Sequence, residues 1–145
     1  MRPEILDLAY MGGLFDGEGY IAIRADMSKT GNITYSLYAG LNMVEKEGVE
    51  LFQCSFGGRI FLRQSTRPVD RPQYRWRLDT KKAYDFLCIL QPFLRLKAEK
   101  IKLAIEFQLS KKSYNHRSSS EKAVEAEAFQ KMKLLNRRGI YVLST

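Results

Sequence analysis

The chain has 145 residues, 45% of them hydrophobic, and a formal net charge of +8. This length suits a single domain spanning residues 1–145, and the hydrophobic fraction excludes a chain too polar to bury a core. No apolar run approaches the roughly 18–20 residues that cross a bilayer, and the start, Met1-Arg2-Pro3-Glu4, has no signal- or transit-peptide pattern. The expected protein is therefore soluble, intracellular and without a membrane partner. The cationic excess favours a polyanion, and charge alone leaves DNA and RNA both open.

Residues 4–16 read as a helix with apolar positions Ile5, Leu8, Leu14 and Phe15, stopped by Gly17-Glu18-Gly19. Residues 20–28 alternate with period two, with Ile21, Ile23, Ala25 and Met27 on one side, which predicts a half-buried strand. A turn at 29–32 leads into a second alternating stretch, whose apolar row is Ile33, Tyr35, Leu37, Ala39, Leu41 and Met43. Residues 45–55 read as a helix with Val49, Leu51 and Phe52 inward, ended by Gly57-Gly58. Two more strands follow, Ile60 and Leu62 facing inward in one and Tyr74, Trp76 and Leu78 in the other, around a loop at 66–72. A helix at 80–90 comes next. Pro92 breaks it and starts another that runs to about 110. Residues 111–120 are polar and loop-like, and a last helix covers 121–135. The order is αββαββα over about 4–110, an α+β fold with one antiparallel four-stranded sheet covered by helices on one face, followed by a helical extension over 111–145.

The second row of each strand is basic, hydrogen-bonding and aromatic: Arg24, Ser28, Ser36, Tyr38, Asn42, Arg59, Phe61, Arg63, Ser65, Gln73, Arg75 and Arg77, with Lys29 and Lys46 at strand ends. Arginine pairs bidentately with guanine edges and binds phosphate, while Gln, Asn and Ser read base edges at lower charge. Alternation with polar residues also describes an ordinary solvated sheet face. Five arginines against one acid, Asp26, favour nucleic acid instead. The choice of Arg75 and Arg77 over Tyr74 and Trp76 as outward residues rests on alternation, and a one-residue slip would reverse it.

His116 is the only histidine, which argues against a Ser-His-Asp triad or a His-rich metal site. Cys54 and Cys88 have no metal-ligand spacing and lie in apolar stretches, so they read as buried free thiols. The chemistry must rest on carboxylates, lysines and a metal ion. The first helix has two unusual features. Ala9, Gly12 and Gly13 put tiny residues on one helical surface, and glycine inside a helix costs up to about 1 kcal/mol against alanine; close approach of another backbone is the usual reason. The helix also ends in two acids, Asp16 and Glu18, against its own dipole. Two acids there suggest a compensating cation, and a helix that simply ends in a polar turn would carry them as well.

Met11-Gly12-Gly13-Leu14-Phe15-Asp16-Gly17-Glu18-Gly19 resembles the LAGLIDADG motif of homing endonucleases, with Met for the first Leu and Gly for the first Ala. The stretch Leu90-Gln91-Pro92-Phe93-Leu94-Arg95-Leu96-Lys97 is similar to the family segment that carries an active-site lysine, and Phe56-Gly57-Gly58-Arg59-Ile60 to its entry into the third strand. The resemblance covers roughly residues 4–110. A single motif implies a homodimer whose paired helices meet through Ala9, Gly12 and Gly13, and a two-fold dimer implies a near-palindromic double-stranded DNA target. It further implies Glu18 as metal ligand, with the Gly17 carbonyl, for Mg²⁺; Mn²⁺ is a second candidate and Ca²⁺ a non-cleaving substitute. Asp16 matches an acid that braces the motif turn, and Lys97 the lysine beside the scissile phosphate. Met43 stands where some members carry a polar residue that orders water, with Asn42 and Lys46 nearby. The expected activity is site-specific double-strand cleavage of DNA of the intron- or intein-homing type. Two other activities suit the same fold, an RNA maturase acting on intron RNA and a non-cutting DNA-binding regulator. Lys131, Lys133, Arg137 and Arg138 read as a solvated helical face that could alternatively touch phosphates.

Overall fold

The computed structural model describes residues 3–111 and 118–137. His116, Arg138, most of the polar stretch and the tail beyond Arg137 lie outside them. Helix α1 (Ile5–Glu18) passes straight into strand β1 (Gly19–Met27), followed by β2 (Ile33–Met43), α2 (Lys46–Phe56), β3 (Arg59–Arg63), β4 (Gln73–Asp79) and α3 (Thr80–Leu90). A 3-10 turn (Gln91–Phe93), α4 (Ala98–Ser110) and α5 (Ser119–Leu135) complete the order. The four strands form one antiparallel sheet in the order β1-β2-β4-β3.

The period-two rows fall where the alternation put them. Ile21, Leu37, Ala39, Leu41 and Trp76 are fully buried and Leu78 nearly so, beneath a helical layer that contributes Met11, Phe15, Phe52, Phe86, Leu87 and Ile101. Trp76 sets the register from the inside. Its indole N–H donates to the Gly57 carbonyl at 2.7 Å, and its ring lies 5.1 Å from that of Phe52 and 5.2 Å from that of Phe86. Turning Trp76 outward would lose that bond and roughly 1.5–3 kcal/mol of burial, so Arg75 and Arg77 face the other way. Gly57 stops α2 at φ 75°, a left-handed conformation suited to glycine.

Several expectations need correction. Gly17 does not end α1; the helix continues through Glu18, and the Gly19 N–H donates back to the Phe15 carbonyl. Ile5 is exposed, as are Met27, Ile33 and Leu62 at strand ends and on the edge strand β3, where no helix covers them. Cys54 is exposed and Cys88 half-buried rather than buried, because Val49 and Phe52 turn the opposite side of α2 inward. Pro92 starts only the 3-10 turn. Leu94 is extended, and α4 begins after Lys97.

The C-terminal helix belongs to the core. Ala128 and Met132 join the buried cluster, and α5 packs on β1 and β2. Asn136 Nδ2 donates to the Ile21 carbonyl at 2.8 Å, on the outer edge strand. Glu125 is buried beside Lys111, whose ammonium donates to the Tyr35 carbonyl. Lys131 pairs with Glu127 and Lys133 lies over Phe129. These lysines therefore sit in the helical layer, behind the sheet's open face.

Candidate nucleic-acid interface and active-site end

The sheet face that the helices leave open can be built from the register. Arg24 pairs with Ser36, Asn42 with Arg75, Phe61 with Arg75, Arg63 with Gln73, Gly40 with Arg77, and Arg77 with Arg59. Because side chains alternate along a strand and directly paired residues share a face, all of these residues and Tyr38, opposite Ala22, lie on one side. Ser28, Lys29, Lys46 and Ser65 do not. Ser28 is in the β1–β2 turn, accepting the Asn32 N–H, and Lys29 follows it in that turn. Ser65 lies in the β3–β4 connection. Lys46 opens α2, paired with Glu50 at 3.5 Å and leaning over Tyr74, which belongs to the covered row.

Charge on this face is partly compensated from within. Arg24 binds Asp26 at 2.8 Å, and Arg77 lies 3.3 Å from Asp79. Asp79 is a second acid on the face, missed because the strand was expected to end with Leu78. Arg75 Nε donates to Asn42 Oδ1 at 3.2 Å, and the Arg77 guanidinium lies over the Tyr38 ring. Tyr20 is an addition to the expected set. Its ring meets Tyr38 edge-on at 5.8 Å, and its hydroxyl lies across Gly40, where an added Cβ would come within 2.8 Å of it. The sign was present in the sequence as an aromatic on the outer row facing a glycine. Burial raises the Tyr20 phenol above its usual range, against the pull of Arg75 and Arg77.

One end of the sheet gathers the carboxylates and the lysine. Asp16 accepts the backbone N–H of Arg95 at 2.7 Å and of Leu96 at 3.1 Å. A carboxylate near a helix C-terminus is disfavoured by the dipole; here the compensation comes from two backbone donors. These bonds draw residues 94–97 around the end of α1 and explain why α4 starts late. Lys97 follows, its ammonium 6.0 Å from the centre of the Phe15 ring. Burial and the nearby Lys100 lower its pKa, while Asp16 raises it. Glu18 ends α1 two residues after Asp16. It is exposed and, among the described residues, has no hydrogen-bond or ion-pair partner. Met43 is an apolar packing residue whose sulfur fills the space above Gly48.

The small residues of α1 divide into two sets. An added Cβ on Gly12 would lie 2.6 Å from Phe93 Cβ and 2.8 Å from its carbonyl oxygen, so Gly12 accommodates the 3-10 turn of its own chain. Nothing lies within 4 Å of such an atom on Gly13, and Ala9 is likewise exposed. Among the described residues no three His, Cys, Asp or Glu side chains come together as a metal cluster. The Lys97 environment has a direct test. Followed by NMR at its ε-position, Lys97 should titrate below an unperturbed lysine. Asp16→Asn should move the midpoint lower still, and Lys100→Gln should move it up.

No protein-family model and no curated protein sequence matches the chain. Solved structures do match. An archaeal intron-encoded homing endonuclease, I-Vdi141I, complexed with DNA, has a TM-score of 0.78 and 14% identity over 98% of this chain and 91% of that one. The homing endonuclease I-CvuI, in complex with the I-CreI target, has a TM-score of 0.75 and 18% identity over 93% and 84%. The LAGLIDADG homing endonuclease I-SmaMI, bound to cleaved DNA, has a TM-score of 0.63 and 16% identity over 97% of this chain and 47% of that one. Element order, sheet and motif helix agree with these likenesses: this chain has the fold of the LAGLIDADG homing endonucleases.

Proposed function

We propose that the chain is a single-domain, divalent-metal-dependent, site-specific DNA endonuclease that acts as a homodimer on a long near-palindromic duplex. The observation that carries this reading is the Asp16 clasp on the backbone of residues 95 and 96. It puts an unengaged carboxylate, Glu18, and a partly buried lysine, Lys97, at one end of a basic, hydrogen-bonding sheet face.

The donor set suits Mg²⁺, which takes oxygen ligands and needs few carboxylates when phosphate oxygens supply others. Glu18 and the Gly17 carbonyl would hold the ion; when bound, it would supply Lewis-acid activation and charge neutralisation at the phosphate. Lys97 supplies positive charge where anionic charge grows in the transition state. Asp16 acts through Lys97, as the residue that positions it. The open face carries the duplex, with Arg59, Arg63 and Arg75 less committed to internal carboxylates than Arg24 and Arg77.

The homodimer rests on the outer side of α1. Leu6, Ala9, Tyr10, Gly13 and Gly17 follow helical spacing and are all exposed, Leu6 at 80% and Tyr10 at 61%. An apolar stripe with small residues at its centre suits close packing against a second copy of the same helix. Ala9 and Gly13 are the proposed contacts, and Gly12 serves its own chain.

The decisive experiment incubates the protein with a library of candidate duplex sites in Mg²⁺ and in Ca²⁺, beside Glu18→Gln and Lys97→Met. The expected outcome is discrete cuts in a near-palindromic site with Mg²⁺ alone. Glu18→Gln should bind without cutting, and Lys97→Met should bind normally with cleavage slowed on the order of 10²–10³-fold. Specific binding without cleavage in any metal would refute the nuclease reading. Sedimentation tests the assembly. Gly13→Leu should dissociate the dimer and leave the melting temperature of the protomer nearly unchanged. Gly12→Ala should instead destabilise the fold by about 1–3 kcal/mol through overpacking against Phe93.

A further inference from the structure

We propose that the free outer edge of β1 is a strand-docking surface and that its occupant is this chain's own segment 140–143, which follows α5. Pairing there would add a fifth strand to the sheet. It would do so whether or not the protein cuts DNA.

β1 is paired on one side only, with β2. In an antiparallel pair the backbone groups of alternate residues point toward the partner strand, and those between point away. The Ile21 carbonyl accepts Asn136 Nδ2, so the backbone groups of Ile21, and with them those of Ile23 and Ala25, point away from β2. The far end of the hairpin agrees, because the Ser28 N–H donates to the Asn32 carbonyl, in phase with Asp26, Arg24 and Ala22 as the ladder residues. Among the described residues, the edge-facing N–H and C=O of Ile23 and Ala25 have no hydrogen-bond partner. An uncovered edge of this kind is a template for a further strand. The side chains beside it are also uncovered. Ala25 is exposed, Met27 is 73% exposed, and Ile33, its partner on β2, is 43% exposed.

The chain beyond α5 is delivered to this edge. α5 runs against β1: the Phe129 ring meets that of Tyr35, which pairs with Ala25, and one turn past the buried Met132 the Asn136 side chain reaches Ile21. A chain that reverses after Arg137 would therefore run along β1 from Ile21 toward Met27. Gly139 is the residue suited to such a reversal. Ile140-Tyr141-Val142-Leu143 then follows, uncharged, β-branched and aromatic, a composition that favours strands. The edge from Ile21 to Met27 is roughly 20 Å long at about 3.3 Å per residue, the reach of residues 138–143 when extended. Alternate side chains of that strand would fall on the helical side, next to Ala25 and Met27. One segment would thus satisfy the free backbone groups and cover the apolar row. A second copy of the chain offers the same edge chemistry, but Asn136 brings the chain's own segment to the edge.

The test is NMR on the full chain, without DNA or metal. Backbone nuclear Overhauser contacts should join residues 140–143 to Ile23 and Ala25, and the Ile23 and Ala25 amides should exchange roughly tenfold or more slowly than those of the turn at 29–32. Tyr141→Pro and Val142→Pro supply the perturbation. One of the two places proline where an N–H enters the ladder, and that variant should speed exchange at Ile23 and Ala25 about tenfold; the other, pointing outward, is tolerated on an edge strand. The Ala22 and Arg24 amides, bonded to β2, should not change in either variant. Absent contacts together with unprotected Ile23 and Ala25 amides in the wild type would overturn the proposal. Protection that neither proline reduces would overturn it as well, since something other than this segment would then cover the edge. Contacts found only between chains, in a mixture of labelled and unlabelled protein, would replace it with edge-to-edge pairing of two copies.

Discussion

Two hydrogen bonds to one carboxylate organise the end of the sheet at which α1 delivers Glu18. Asp16 sits where a helix dipole disfavours an acid, and it remains there by accepting the N–H groups of Arg95 and Leu96. Hydrogen bonds to a charged acceptor contribute more than neutral ones, roughly 1.5–3 kcal/mol each at best, and less here because the site is partly solvated. Their main consequence is geometric. A helix running on from Pro92 would need the N–H groups of Arg95 and Leu96 for the carbonyls of residues 91 and 92; with both donors given to Asp16, the chain wraps the motif helix before α4 starts. That wrap sets Phe93 against Gly12 and brings Lys97 over Phe15. Glycine at 12, acid at 16 and lysine at 97 are thus parts of one contact between segments some 80 residues apart in sequence.

The second constraint is the register of the sheet. Trp76, pinned to the helix stop at Gly57, fixes which row of β4 faces the core. The pairing with β2 and β3 then carries that choice across the open face. A basic, hydrogen-bonding surface follows, its charge moderated by Asp26 and Asp79. A face of unpaired arginines would bind any polyanion; pairing two of them lowers unspecific attraction and leaves hydrogen-bonding groups, such as Asn42 and Arg75, at the centre. Tyr20 and Tyr38 stiffen that centre by packing across Gly40.

Much of this was legible in the sequence, for identifiable reasons. Strands with period-two rows declare both their existence and their faces, and the wet row of β4 could be named before Trp76 was seen to be buried. The glycine stop after α2 and the limits of α3 were equally local. What failed was set by partners distant in the chain. Gly12 and Gly13 look alike on a helical wheel, yet one meets Phe93 and the other meets nothing, and only tertiary structure separates them. Pro92 gave a helix start that Asp16 overrides. The aromatic at position 20 was visible on the outer row, but its role depends on the glycine opposite, which required the register. Ser28 and Ser65 were placed on the outer row by continuing an alternation past the strands that carried it.

In the proposed nuclease, Asp16 contributes to cleavage by placing Lys97 rather than by acting on the substrate itself. A double-mutant cycle on single-turnover cleavage of a bound target measures this most directly, using Asp16→Ala, Lys97→Met and the pair. If the account is right, each single variant slows cleavage with duplex affinity nearly unchanged, and the double variant is no slower than Lys97→Met alone. Independent, multiplying losses would contradict it, since Asp16 would then act in the reaction by a route that does not pass through Lys97.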